Sequence, residues 1–149
     1  YHLTASEPEG MGAMKAMQMA IEEAGITPEQ VDYINMHGTS TPIGDLAEVK
    51  AVQHLFGEHA YQLHLTSSKS MTGHMLGATG AVEAIISLLS MQHGQVTPTI
   101  NHAEGDEDPS IDYRLNFTFN HAQPRAIQYA MSNNFGFGGH NACLLFKKL

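Results

Sequence analysis

The chain has 149 residues and a formal net charge of −8 at pH 7, with 15 acidic against 7 basic side chains. So acidic a chain argues against a nucleic-acid or anionic-membrane binder, and no stretch reaches the roughly 18 apolar residues of a membrane span. The length suits one domain over residues 1–149 with a core of its own, and the single cysteine excludes an intrachain disulfide framework and suits a reducing compartment, the cytoplasm.

The start, Tyr1-His2-Leu3, has neither the basic nor the apolar region of a signal peptide and reads as a chain cut from something longer. A first helix is predicted over Gly12 to Ala24, where Met14, Met17, Ile21 and Ala24 share a face and Gly25 supplies a left-handed stop; its methionines read as core packing. Thr27-Pro28-Glu29 starts a turn, and Val31 to Met36 reads as a strand. A second helix is expected over Asp45 to Phe56, with Leu46, Val49, Val52 and Phe56 as its apolar stripe, then a strand over Leu63 to Ser67. In a third helix, Ala78 to Gln92, the residues Val82, Ile85, Ile86, Leu88 and Leu89 leave almost no polar face, which predicts burial on all sides. Glu83 inside that helix needs a partner, for which Lys69 or a bound cation is the candidate. Val96 to Gln123 reads as irregular, with Asp106-Glu107-Asp108 facing solvent. Two closing strands, Ala126 to Ser132 and Asn141 to Phe146, flank a glycine-rich turn. The order of elements predicts an α/β layered domain. The Asn116-Phe117-Thr118 sequon carries little weight without a secretory signal, and the ten scattered histidines show no zinc-type spacing.

Two histidines stand where a strand gives way to small residues and then to a helix: His37 in Met36-His37-Gly38-Thr39-Ser40-Thr41-Pro42-Ile43-Gly44-Asp45, and His74 in Ser67-Ser68-Lys69-Ser70-Met71-Thr72-Gly73-His74. Such turns are where α/β proteins present catalytic groups. A third run, Asn133-Asn134-Phe135-Gly136-Phe137-Gly138-Gly139-His140, lies near the C-terminus.

Together these runs, in this order and separation, resemble the C-terminal half of the β-ketoacyl-acyl carrier protein synthases, most nearly the type II enzymes of fatty-acid synthesis. The resemblance implies a thiolase-like α/β fold, a mixed sheet with layered helices, of which this chain is the second half and lacks the opening strand. It implies decarboxylative condensation, with His37 and His74 donating to the malonyl thioester carbonyl and Lys69 ordering His74 and its carboxylate neighbours. It further implies that Phe137 gates the acyl pocket and lends its N–H to an oxyanion hole, and that Thr39, Thr41 and, with weaker support, Thr4 bind the phosphopantetheine arm. Asn35, Glu48, Glu83, Ser132 and Asn133 match a polar cluster that in some relatives holds a structural monovalent cation. No catalytic metal and no resident cofactor is implied, since phosphopantetheine arrives on the acyl carrier protein. The other implied partners are the N-terminal half and a second copy in a homodimer; nucleic acid and membrane are not among them.

The nucleophilic cysteine of that family belongs to the other half. Cys143 lies in a strand pattern, where an apolar setting makes a thiol inert, so the chain alone is expected to be inactive. Three alternatives stay open: a polyketide ketosynthase, a chain-length partner subunit and a non-catalytic binding module.

Overall fold

A computed structural model describes residues 1–149. In chain order its elements are α1 (Met11–Ala24), β1 (Tyr33–Asn35), α2 (Pro42–Phe56), β2 (His64–Thr66), α3 (Lys69–Thr72), α4 (Thr79–His93), β3 (Gln95–Val96), β4 (Gln123–Pro124), β5 (Tyr129–Gly136) and β6 (His140–Lys147). The main sheet runs β2-β1-β5-β6. β1 is parallel to β2 and β5, with Tyr33 opposite His64 and Ala130, whereas β6 returns antiparallel to β5. This is the mixed sheet expected, and no strand precedes α1.

Strand pleat decides which residues meet which helix, because successive side chains point to opposite faces. Ile34 and Met131 face the main core with Met17 and Ile21 of α1 and Val49 and Val52 of α2. Tyr33 and Ala130 face the other way, into a smaller core with Met91 of α4, Val96 and Ile127. Helices therefore cover both faces of the sheet, α1 and α2 on one and α4 on the other. At Gly10, just before α1, φ is +70° and an added Cβ would run into the Ala47 carbonyl of α2, so only glycine lets the chain enter α1 there.

Several boundaries move. α2 starts at Pro42 rather than Asp45, since proline is well placed in a first helical turn. β1 and β2 are three residues each, because their ends bend into the site turns. β5 runs four residues past Ser132, so the glycine turn shrinks to Phe137–Gly139. The segment expected to be irregular carries β4 and two isolated bridges, His64 to Asn116 and Thr99 to Phe119.

The larger correction concerns α4. It is not buried on all sides: it buries Thr79, Glu83, Ser87, Ser90 and Met91 and exposes Ile85, Leu88 and Leu89. The stripe at spacings of four, four and three is small and polar, so it fits against the sheet where the residues of β1 and β5 are themselves polar. Counting apolar residues around the helix could not reveal that its inward face is the hydrophilic one.

Candidate active site

The two histidine turns are sewn together. Gly38 follows His37 with φ +32°, and a Cβ there would lie 2.8 Å from Ser67 Cβ. That close approach lets Ser67 Oγ donate to the Gly38 carbonyl at 2.6 Å. The Glu48 carboxylate of α2 accepts from the His37 and Gly38 N–H groups, both at 2.9 Å, and from Asn133 Nδ2 at 3.0 Å. Burial pushes the Glu48 carboxyl up, against the opposing effect of these donors.

The imidazoles of His37 and His74 lie edge to face, with centroids 5.7 Å apart and planes at 88°. Each inner nitrogen accepts a main-chain hydrogen: Phe135 N–H donates to His37 Nδ1 at 3.3 Å, and Leu76 N–H to His74 Nδ1 at 3.2 Å. An N–H can only donate, so neither Nδ1 carries a proton and both rings are the Nε2–H tautomer. Burial first, then the Lys69 ammonium and His74, push His37 down to about 4. His37 is therefore neutral at physiological pH, with its Nε2–H free to donate.

Lys69 is buried, contrary to what a lone surface lysine would show, and its Nζ lies 2.6 Å from Glu83 Oε1. Asn134 Nδ2 donates to Glu83 Oε2 at 3.1 Å, and Ser68 Oγ bridges Asn35 and Glu83. The expected single polar cluster is thus two, divided by the sheet. Glu48 and Asn133 sit on the α2 side; Asn35, Ser68, Lys69, Glu83 and Asn134 sit on the α4 side. Ser132 Oγ and Asn133 Oδ1 are buried without a hydrogen-bond partner.

Thr39 and Thr41 are side by side, hydroxyls 3.3 Å apart. Thr41 takes the N-cap position of α2 yet makes no capping bond, so its hydroxyl is not spent on the helix. Thr4 is exposed; its neighbour Leu3 accepts from Gly138 N–H at 2.7 Å, which ties the N-terminal loop to the glycine turn. The Phe137 ring is 76% exposed at the tip of that turn. The aromatic ring against the histidines is instead Phe135, its centroid 5.3 Å from His37. A cavity of about 610 Å³ is lined by His74, Lys69, Thr39 and Asp45 and closed by Tyr113 and Phe119. Neither His37 nor Phe137 is in its wall, but Met36 and Gly38 on either side of His37 are, so the His37 ring stands beside the cavity and against the His74 ring. Cys143 is half-buried on β6 and its thiol is pushed up to about 12 by burial and by Glu48, the inert state expected.

Sequence reading gave no role to Asn134, Ser68, Thr79, Phe135 or Asp45. Asn134 was findable, since β5 alternation puts it on the face opposite Asn133. Asp45 closes the first motif; burial pushes its carboxyl up, and its Oδ1 has no partner.

Breaking the Lys69–Glu83 pair strands a buried ammonium. Glu83→Ala should lower stability by about 3–5 kcal/mol, read as a fall in the urea midpoint of the full-length protein. Lys69→Met with Glu83→Leu should recover most of that loss, because no charge is then left behind. A Glu83→Ala midpoint equal to that of the parent protein would contradict the assignment.

Comparison with known proteins agrees with this geometry. Residues 1–103 match the family model described as "Beta-ketoacyl synthase, C-terminal domain". The chain is 56% identical over 148 residues to 3-oxoacyl-[acyl-carrier-protein] synthase 2 of Staphylococcus aureus strain COL, covering 99% of this chain and 35% of that protein. It is 47% identical over 149 residues to the synthase of the same name from Coxiella burnetii, covering 100% of this chain and again 35% of the relative. Among solved structures it superposes on a type II polyketide ketosynthase in complex with its acyl-carrier protein at TM-score 0.94 and 33% identity, covering 100% of this chain and 36% of that one. A β-ketoacyl synthase from Burkholderia phymatum superposes at TM-score 0.87 and 37% identity, covering 97% of this chain and 34% of that one. The chain thus spans about a third of the length of the relatives it matches, and its fold is the thiolase-like fold of the ketosynthases. It belongs to the β-ketoacyl synthase family, as the C-terminal domain.

Proposed function

We propose that this chain is the histidine-bearing part of a 3-oxoacyl-[acyl-carrier-protein] synthase II, an acyltransferase that elongates acyl chains in fatty-acid synthesis. The observation that carries this reading is the pair of imidazoles whose Nδ1 atoms each face a main-chain N–H, leaving Nε2 as the donor on two rings with centroids 5.7 Å apart. Two fixed donors suit a thioester carbonyl that becomes an enolate oxygen. In that reaction the Cα–carboxylate bond of malonyl-carrier protein breaks, carbon dioxide leaves, and its electron pair passes into the enolate held by His37 and His74. The enolate carbon then bonds to the carbonyl carbon of the waiting acyl thioester, and the thiolate leaves. Cys143 cannot hold that acyl group, so the nucleophile comes from the N-terminal half and the chain alone does not condense.

Thr39 and Thr41, with Thr4 at the loop tied to the glycine turn, would hold the phosphopantetheine arm. Phe137, exposed beside that turn, would gate the acyl pocket, with its N–H in the oxyanion hole. Lys69 acts through Glu83 to order the loop that carries His74. A structural monovalent cation belongs to the reading, because Asn133 Oδ1 is a buried oxygen without a partner beside the Glu48 carboxylate and alkali cations take such hard donors; the Ser132 hydroxyl, next along β5, points to the opposite face. The partners are acyl carrier protein, the N-terminal half over the apolar face of α4, and a second subunit; the setting is the cytoplasm. A polyketide ketosynthase is the second reading, favoured by the TM-score of 0.94 to the polyketide enzyme. Identity ranks it behind, at 33% against 56% to the fatty-acid synthase.

In the complete enzyme, His37→Ala and His74→Ala should each slow malonyl decarboxylation by about a hundredfold or more, the scale of losing one oxyanion donor, while the acyl group still loads onto the nucleophile. Loading lost and decarboxylation kept would contradict the assignment.

The pH dependence follows from His37. It is protonated only as pH falls through about 4, and a proton on Nδ1 would face the Phe135 N–H. The active form is therefore present above that pH and lost below it. Histidine-labelled NMR, with His37 assigned through His37→Gln, should give a titration midpoint near 4 rather than the ordinary imidazole value of 6.5; a midpoint near that ordinary value would refute the burial argument.

A further inference from the structure

Thr79 is the first residue of α4 and is fully buried, and the N-cap residue before it, Ala78, has no side chain that could cap the helix. A threonine hydroxyl near a helix start ordinarily satisfies a main-chain N–H. Here its one hydrogen-bond partner is His74 Nδ1, at 3.1 Å. Leu76 N–H points at the same nitrogen. Because that donor excludes a proton on Nδ1, the Thr79 hydroxyl must donate too.

The two donors differ in rigidity. Leu76 is 78% exposed and held at φ +52°, a conformation that non-glycine residues rarely adopt. Thr79 belongs to a four-turn helix packed on β5, and its β-branched side chain has few rotamers. The loop donor sits on the same loop as the ring, two residues away, whereas the buried helical donor ties the ring to a helix packed on β5.

We infer that Thr79 is a positioning residue for the condensation, holding His74 in the Nε2–H tautomer and fixing the tilt of its ring toward His37. It touches no substrate, and the inference rests on the role proposed above for His74. It also separates two functions of the motif: Lys69 with Glu83 anchors the backbone of the His74 loop, and Thr79 orients the ring.

The test uses the complete enzyme and compares Thr79→Val, which keeps the shape and removes the O–H, with Thr79→Ser, which keeps the O–H. Thr79→Val should lower kcat for malonyl decarboxylation about tenfold, the worth of one hydrogen bond, with KM and acyl loading unchanged. Thr79→Ser should stay within about twofold of the parent enzyme. Parent-like decarboxylation in Thr79→Val, or an equal loss in both variants, would overturn the inference, since packing alone would then explain the site. Should Thr79→Val fail to load an acyl group, Thr79→Ala replaces it against Thr79→Ser under the same criteria. His74→Ala run in parallel separates the two levels. If it decarboxylates normally, the role of His74 falls, and with it that of Thr79. If it is impaired while Thr79→Val is not, only the inference about Thr79 falls.

Discussion

The site depends on main-chain N–H groups aimed at the inner nitrogens of two histidines. Phe135 of β5 holds the His37 ring, which the turn after β1 carries, whereas Leu76 holds the His74 ring from two residues along the same loop. This arrangement settles two matters together. It fixes the tautomer, so that both Nε2 atoms are donors, and it makes the position of the His37 ring a consequence of the β1–β5 pairing, while the His74 ring rests on its own loop and on Thr79. A histidine at either place without its backbone donor would be free to rotate or change tautomer, and the edge-to-face pair would be lost.

The two buried carboxylates serve that arrangement from opposite faces of the sheet. Glu48 gathers the N–H groups of His37 and Gly38 from the α2 side. Glu83 takes the Lys69 ammonium and Asn134 from the α4 side. β5 contributes to both, because Asn133 and Asn134 are neighbours in sequence and so point to opposite faces. A one-residue slip of β5 would exchange the two asparagines and leave both carboxylates with the wrong partner. The polar stripe on α4 has the same origin: a buried ion pair at the centre of the sheet face needs small, hydrogen-bonding neighbours, which pushes the apolar residues of that helix outward.

Much of this was legible in the residues. Helical periodicity located α1 and α2, and the glycines after them marked their ends, because those signals are local. The histidine runs and Lys69 with Glu83 were legible because a buried charge requires a partner. What was not legible depended on registers and on faces. The split of the polar cluster follows from the parity of β5 relative to β1. The inward face of α4 follows from which side of the helix meets the sheet. Thr79 was passed over because it falls inside the predicted helix, and nothing in the sequence says that its hydroxyl reaches back to His74 Nδ1. Phe137 was favoured over Phe135 because the motif weights the turn, whereas β5 runs on far enough to put Phe135 beside the ring.

The central claim is that His37 and His74 donate together to one carbonyl oxygen. The most direct measurement is isotope-edited infrared spectroscopy of a malonyl thioester analogue that cannot lose carbon dioxide, labelled at the thioester carbonyl and bound to the complete enzyme. The account predicts a carbonyl stretch at lower frequency than in water, moving part of the way back in His37→Ala and part of the way back in His74→Ala. A frequency that is the same in the parent enzyme and in both variants would contradict it.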